Sequence, residues 1–253
     1  MGETLKLPII DLSSTDRLST ATTIRRACVD FGFFYLANHG VEEEFLKRVF
    51  EESKMLFSLP LEQKMKLARK ENRGYSPFYA EKLDTSLNSR GDLKESFHIG
   101  PIEGTTTLTN LNQWPSEGEL AVSNEETYGA SAHSDYGMIT LLATDGVRGL
   151  QICREKYRQP QVWEDVQHVN GAFIVNIGDM MERWTNCLFR STLHRVIPAG
   201  QERYSVAFFL DPNSDCMIEC LESCCSEKFP PRFPPIRSGD YLQERFRVTY
   251  SSQ

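Results

Sequence analysis

The chain has 253 residues, of which 40% are hydrophobic and 25% are charged, so it can bury a sizeable core in one or two domains. A net charge of −7 argues against a nucleic-acid-binding role that depends on phosphate contacts. We see no apolar run long enough to span a membrane and no secretory signal. Together with an odd number of cysteines, seven, this composition predicts a cytoplasmic protein with reduced thiols.

The N-terminal half is predicted to combine short strands with amphipathic helices. Apolar spacing and turn residues predict strands at 7–12, 33–37 and 94–100, and helices at 19–30 and 42–57. A third helix is expected to begin at Leu59-Pro60, with Pro60 in its first turn. The segment 71–93 is polar and contains several glycine and asparagine residues, which indicates a loop.

Beyond Ala130 the pattern changes to short strands separated by turn residues. Strands are predicted at 138–143, 150–154, 162–164, 172–176, 191–197 and 204–210, followed by a closing helix at 239–247. Regularly spaced short strands are typical of a double-sheet jelly roll. The expected fold is therefore α+β and mainly β. A double-stranded β-helix core at 128–253 forms one structural unit with an N-terminal helical and strand region at 1–115.

Two histidines and one aspartate suggest a metal site. His133 and Asp135 stand two positions apart, so on a strand they would share one face, and His194 could approach from an adjacent strand. Two imidazoles and one carboxylate leave the opposite coordination positions open, which is the ligand set of non-haem Fe(II) oxygenases. Alone, a His-x-Asp pair is weak evidence, because it occurs by chance and strand histidines are often structural.

A second pair strengthens the metal interpretation. Arg203 and Ser205 also stand two positions apart and precede the apolar run 206–210. Arginine offers a planar fork of donors that binds a carboxylate through two hydrogen bonds, and serine adds a hydroxyl. A buried strand rarely carries an inward arginine unless that arginine is paired. We therefore expect a carboxylate clamp beside an open metal site.

With these motifs the chain resembles the 2-oxoglutarate- and Fe(II)-dependent dioxygenases of the isopenicillin N synthase-like, plant-type family. The family hallmark is His-x-Asp, a distant His and Arg-x-Ser, which correspond here to His133, Asp135, His194, Arg203 and Ser205. The resemblance implies that the first three hold Fe(II) and that the last two bind the distal carboxylate of 2-oxoglutarate. Further segments that resemble the family are 7–12, 28–41 and 176–179.

The resemblance also implies a reaction. Oxidation of a small organic metabolite by O₂, either hydroxylation or desaturation, would accompany conversion of 2-oxoglutarate to succinate and CO₂, with ascorbate as an accessory reductant. No catalytic side chain is expected beyond the metal centre. We expect a monomer with a small-molecule substrate, and no membrane or nucleic-acid partner. Phe97 and His98 are candidate substrate contacts, and Arg73 and Tyr75 are further pocket candidates.

One segment departs from the family pattern. The stretch from Trp114 to Ala132 is too short for the two long helices and the strand that the family has there. The missing strand carries an Asn-x-Tyr motif that helps to hold 2-oxoglutarate, and Tyr128 lies too close to His133 to replace it. Two hypotheses follow, a working oxygenase and an impaired isoform that acts as a non-enzymatic binding or regulatory protein. A third, a jelly-roll metal- or sugar-binding protein, has no use for Arg203.

Other residues receive structural interpretations. Phe208 and Phe209 are expected in the core, and Asp179 in a turn rather than on the metal. Four clustered cysteines lack the spacing of a zinc finger and are expected to be free thiols: Cys216, Cys220, Cys224 and Cys225.

Overall fold

The computed structural model describes residues 5–83, 91–100, 112–115 and 130–250. The helices are α1 (Arg17–Asp30), α2 (Glu43–Phe57), α3 (Leu61–Lys66), α4 (Asp179–Trp184) and α5 (Ser238–Tyr250), with a 3-10 turn at Glu222–Cys224. The first seven strands are β1 (Ile9–Asp11), β2 (Phe33–Ala37), β3 (Gly74–Ser76), β4 (Ser96–His98), β5 (Ala130–His133), β6 (Ile139–Thr144) and β7 (Leu150–Cys153). The others are β8 (Glu164–Asp165), β9 (Phe173–Ile177), β10 (Leu193–Val196), β11 (Ser205–Leu210), β12 (Met217–Ile218) and β13 (Ile236–Arg237). Within the described ranges, no helix is both long and apolar enough to cross a membrane.

Two sheets form the jelly-roll core. The larger sheet has the order β1-β2-β9-β6-β11, and the smaller has the order β5-β10-β7-β8. Their facing surfaces share a buried cluster in which Phe33 and Tyr35 of β2 pack with Leu150 and Ile152 of β7. The expected mainly β fold with a jelly-roll core is confirmed.

The N-terminal segment is part of the larger sheet. β1 pairs with β2 in parallel, and β2 pairs antiparallel with β9. Because side chains alternate along a strand, Phe34 points away from its neighbours Phe33 and Tyr35. It joins Ala27 and Cys28 of α1 in a second buried cluster on the other face of the sheet. α1 therefore covers the face of the larger sheet that the smaller sheet leaves open.

Three local predictions are wrong. The predicted loop 71–93 contains β3, which pairs antiparallel with β4. Asp179, which was expected in a turn, is instead the first residue of α4. Phe208 and Phe209 are 58% and 52% exposed rather than in the core, because β11 is the edge strand of the larger sheet and pairs with β6 alone among the described strands. The shortened segment and Tyr128 fall largely in 116–129, outside the described residues.

Candidate active site

The candidate metal ligands converge where the smaller sheet ends. His194 on β10 is the direct cross-strand partner of His133 on β5, and their ring centroids are 4.2 Å apart. Asp135 lies two residues beyond the end of β5, so the chain, not a continuous strand face, returns its carboxylate to the two rings. Asp135 Oδ1 is 3.6 Å from His133 Nε2 and 3.5 Å from His194 Nε2. One ligand atom from each side chain thus lies within 4.8 Å of the other two, which is close enough for the three to bind a single ion.

Backbone contacts set which nitrogen each imidazole presents. His133 Nδ1 donates to the Ser131 carbonyl at 2.7 Å, and His194 Nδ1 donates to the Thr192 carbonyl at 3.1 Å. In each neutral ring the Nε2 lone pair is therefore left for a metal. Both Nε2 atoms point toward Asp135 Oδ1, as their distances above show.

The Asp135 carboxylate is oriented by two buried donors. Thr140 Oγ1 and Asn176 Nδ2 both donate to Oδ2, the latter at 2.8 Å. All three side chains are less than 9% exposed. Oδ2 is thereby occupied, and Oδ1 faces the histidines. A carboxylate with one oxygen held by hydrogen bonds is suited to bind a metal through its other oxygen.

A glycine permits the turn that holds Asp135. The Asp179 amide donates to the Asp135 carbonyl at 2.7 Å, which ties the start of α4 to the metal-ligand loop. At Gly178 an added Cβ would lie 2.3 Å from the Gly137 carbonyl oxygen and 3.1 Å from that of Asp135. Backbone this close leaves no room for a side chain, so glycine is required at Gly178.

The titration of the three groups reflects their burial together. Burial and the neighbouring His194 lower the pKa of His133 to about 3, which keeps this ring neutral and able to bind a metal. Burial raises the pKa of Asp135, but the two histidines and the donor from Thr140 outweigh it and leave the pKa well below its usual range. Burial lowers the pKa of His194, yet the Asp135 carboxylate raises it above its usual value.

The three groups open onto a cavity of about 2120 Å³. The sequence-predicted residues Arg203, Ser205, Phe97 and His98 line the same cavity, as does Arg73. Tyr75 does not, because it is fully buried and its hydroxyl donates to Glu95. The cavity is large enough for both a five-carbon diacid and an organic substrate.

Arg203 lies just before β11 rather than within a buried strand, and Ser205 is exposed as the first residue of β11. Arg203 Nε donates to the Val147 carbonyl at 3.3 Å. Burial lowers the pKa of Arg203, and Asp145 counteracts this. In the described part of the chain no carboxylate lies within 4.0 Å of the Arg203 guanidinium. A largely buried cation without an ion-pair partner is suited to an incoming anion.

The sequence did not predict the roles of two groups of residues. Thr140 and Asn176 orient Asp135, and Lys94 and Glu81 form a charged wall of the cavity. Thr140 sits in an ordinary apolar strand, and nothing in its local pattern marks it. Asn176 lies in a segment that resembles the family, but the resemblance gave it no role. Lys94 and Glu81, which pair at 2.6 Å, stand in or beside a segment interpreted as a loop. The only signal for them in the sequence is the presence of charges next to the alternating strand 94–100.

Two family models match the chain. The model described as "non-haem dioxygenase in morphine synthesis N-terminal" matches residues 7–117. The model of the 2OG-Fe(II) oxygenase superfamily matches residues 110–212, which include every candidate metal ligand and the Arg203–Ser205 pair. One curated relative, "Azadirone synthase LFS" of Melia azedarach, is 36% identical to the chain, with 97% of this chain and 93% of the relative covered.

The chain belongs to the 2-oxoglutarate–Fe(II) oxygenase family.

Solved structures agree with this assignment. The oxygenase is similar to a full-length Neurospora crassa protein solved in complex with alpha-KG, with a TM-score of 0.81, 26% identity and 96% of each chain covered. It is also similar to JOX2 in complex with 2OG, Fe and JA, with a TM-score of 0.76 and 26% identity over 99% of this chain and 87% of that one. The protein is thus an enzyme that uses Fe(II), 2-oxoglutarate and O₂.

The relatives are longer than this oxygenase. The alignment with the Melia relative extends over 313 residues, whereas the chain has 253. Part of that relative therefore has no counterpart here.

Proposed function

We propose that this oxygenase hydroxylates or desaturates a small organic metabolite, with release of succinate and CO₂. In this proposal His133, Asp135 and His194 hold the iron, and Arg203 and Ser205 bind the distal carboxylate of 2-oxoglutarate. The observation that carries the proposal is that three ligand atoms within 4.8 Å of one another share one cavity with an arginine that has no ion-pair partner among the described residues.

The chemistry of the donor set fits Fe(II). Two imidazoles and one carboxylate would occupy one side of an ion and leave the other side for exchangeable ligands, with metal binding displacing the proton that Asp135 favours on His194. When bound, iron supplies the activation of O₂ and the oxidation of a substrate C–H bond. The protein's own task is to hold the two Nε2 atoms and Oδ1 in place, which the contacts of Ser131, Thr192 and Asn176 do.

Arg203 would orient the cosubstrate. Its guanidinium can form two parallel hydrogen bonds with a carboxylate, and this fixes both distance and angle. Ser205 contributes a hydroxyl from the first position of β11. The acid at the far end of 2-oxoglutarate would then be held away from the metal ligands, so that the keto-acid end faces them.

The substrate would occupy the remainder of the cavity, next to Phe97 and His98 of β4. Phe97 offers an apolar surface. Burial lowers the pKa of His98 despite the nearby Glu81 carboxylate, which favours a neutral ring that can both donate and accept hydrogen bonds.

The proposal is tested by 2-oxo acid preference. Purified wild-type protein with Fe(II) and O₂ should convert 2-oxoglutarate to succinate, and His194→Ala should abolish this conversion. Arg203→Met should weaken 2-oxoglutarate binding by about 2–5 kcal/mol, a factor of roughly 30 to several thousand. The same variant should bind 2-oxopentanoate, which lacks the distal carboxylate, as well as the wild type does. The matched control is Arg148→Met, which removes an exposed arginine nearby.

Two results would contradict the proposal. Unchanged 2-oxoglutarate affinity in Arg203→Met would show that the clamp is assigned to the wrong residue. A folded wild-type protein that forms no succinate under any tested condition would favour the impaired-isoform hypothesis instead.

A further inference from the structure

Besides Arg203, a second group of cations lines the cavity. Arg69, Arg73 and Lys94 all face this space, together with His98. Arg69 and Arg73 flank a tight turn in which residues 70 and 73 exchange backbone hydrogen bonds. The two central residues of that turn have φ angles of 45° and 65°, as in the hairpin turns with left-handed central residues. Both guanidinium groups donate to Asn72 in this turn, and both residues line the cavity.

Lys94 is already neutralised. Its Nζ lies 2.6 Å from Glu81 Oε2, and Glu81 also accepts hydrogen bonds from Ser96 at 2.8 Å and Tyr250 at 2.9 Å. Burial lowers the pKa of Lys94, but Glu81, Asp92 and Asp135 outweigh burial and raise it. Lys94 and Glu81 line the same cavity as the candidate metal ligands.

The two arginines have no such partner. Arg73 Nη1 donates to the Asn72 carbonyl at 2.8 Å, and Arg69 donates to the Asn72 side chain and lies 3.3 Å from the Tyr250 ring centroid. Over residues 5–83, 91–100, 112–115 and 130–250, neither guanidinium has a carboxylate within 4.0 Å, and the Nε atom of each is buried without an acceptor. Neutral oxygen atoms satisfy some donors without offsetting the charges. Burial lowers the pKa of Arg69, and Tyr250 and Glu81 offset this only in part.

The charges on this wall do not balance. Four cations, Lys64, Arg69, Arg73 and Lys94, stand against three carboxylates of low exposure, Glu81, Asp92 and Glu95. Asp92 accepts from the Ser131 amide at 3.0 Å, and Glu95 pairs with Lys64 at 2.8 Å. Glu71, in the same turn, is exposed to solvent. At the metal centre, the charges of a bound Fe(II) and of Arg203 would be offset by Asp135 and the two carboxylates of 2-oxoglutarate. One positive charge on the wall is left for another ligand.

Resting on the function proposed above, we propose that the substrate is a monocarboxylic acid with an apolar body, whose carboxylate is bound by Arg69 and Arg73. Apolar side chains of the same cavity suit the rest of such a molecule: Leu56, Phe57, Phe97, Leu242 and Phe246. A carboxylate provides acceptors in the planar geometry that guanidinium groups bind best. The anchored acid would place its apolar part toward the metal ligands.

Binding of matched acids and esters tests the proposal. The probes are 3-phenylpropanoic acid, cyclohexylacetic acid and decanoic acid, each with its methyl ester, added anaerobically to the protein with Fe(II) and 2-oxoglutarate. Two readouts are followed, ligand-observed NMR and the shift of the visible absorption of the loaded protein. The wild type should bind at least one acid roughly ten- to a hundredfold more tightly than its ester, the contribution expected of charge-assisted hydrogen bonds.

The variant Arg69→Met/Arg73→Met should lose this preference while its 2-oxoglutarate affinity stays at the wild-type value. Arg26→Met, whose arginine is 83% exposed on α1, is the matched control and should keep the preference. Should the double variant fail to fold, the wild type still provides a test, because the acid preference should fall with rising ionic strength. Equal binding of acid and ester throughout, or a preference retained in the double variant, would overturn the proposal.

The two proposals fail in different ways. Absence of the visible band with 2-oxoglutarate alone would reject the function proposed for the metal site. A normal band without any acid preference would reject the carboxylic acid substrate and leave that function intact.

Discussion

Replacement of Thr140 by valine should weaken metal binding without disturbing the fold. Thr140 is 4% exposed on β6, and its hydroxyl is one of two donors to Asp135 Oδ2, the other being Asn176. Valine has a similar shape but no donor, so the carboxylate would keep one of its two restraints. A hydrogen bond to a charged group contributes about 1.5–3 kcal/mol. This corresponds to a roughly ten- to hundredfold loss of metal affinity, the range typical of groups that orient a ligand.

The measurement is an anaerobic titration of each variant with Fe(II) by calorimetry, repeated with Mn(II) by electron paramagnetic resonance. Thr140→Ser retains the hydroxyl and should stay within about threefold of the wild type. Thr144→Val removes a hydroxyl from the same strand, where its partner is the exposed His168 at 3.0 Å, and should have no effect on metal affinity. Wild-type affinity in Thr140→Val, or an equal loss in Thr144→Val, would refute the assigned role of the hydroxyl.

Three further changes probe stability. Burial raises the pKa of Glu81, but the adjacent Lys94 ammonium outweighs burial and lowers the pKa to about 2. The ionised form of Glu81 therefore stabilises the fold above pH ~4.5, and this stabilisation is lost as the pH falls toward 2. Glu81→Gln should therefore cost on the order of 3 kcal/mol at pH 7 and progressively less below pH ~4.5, as measured by urea unfolding. Gly178→Ala should cost about 1–3 kcal/mol of stability in the same assay, because the added Cβ would lie 2.3 Å from the Gly137 carbonyl oxygen. Metal affinity should fall together with stability, and a variant as stable as the wild type would contradict this prediction. Ile152→Ala, at a fully buried position, should cost about 2–5 kcal/mol, whereas Phe208→Ala, at a 58% exposed position, should change stability by less than about 1 kcal/mol; the reverse order would contradict the assignment of the core.

Local patterns predicted the elements that one chain segment can specify. The run Phe33–Ala37 is largely aromatic and apolar and bounded by turn residues, and its predicted bounds match β2. α2 likewise begins within one residue of its predicted start, since its apolar spacing follows a helical period. The jelly roll followed from the spacing of short strands, although the individual strand ends differ by one or two residues.

Features that depend on distant partners could not be predicted in this way. Asp135 reaches the histidines from a loop that Thr140 and Asn176 orient, and no sequence period encodes that return. Phe208 belongs to an apolar run typical of a buried strand, yet its exposure follows from the edge position of β11 in the sheet order. Arg69 and Arg73 line one cavity, and the turn at 70–73 that folds the chain back between them is not encoded by any local period.

Assembly of the iron and 2-oxoglutarate site is the central claim, and an anaerobic titration of the purified protein with both ligands tests it most directly. We expect a weak, saturable visible absorption band from the chelate, lost in His133→Ala and weakened in Arg203→Met, with circular dichroism verifying that each variant is folded. A folded wild-type protein that develops no band at saturating Fe(II) and 2-oxoglutarate would contradict the account.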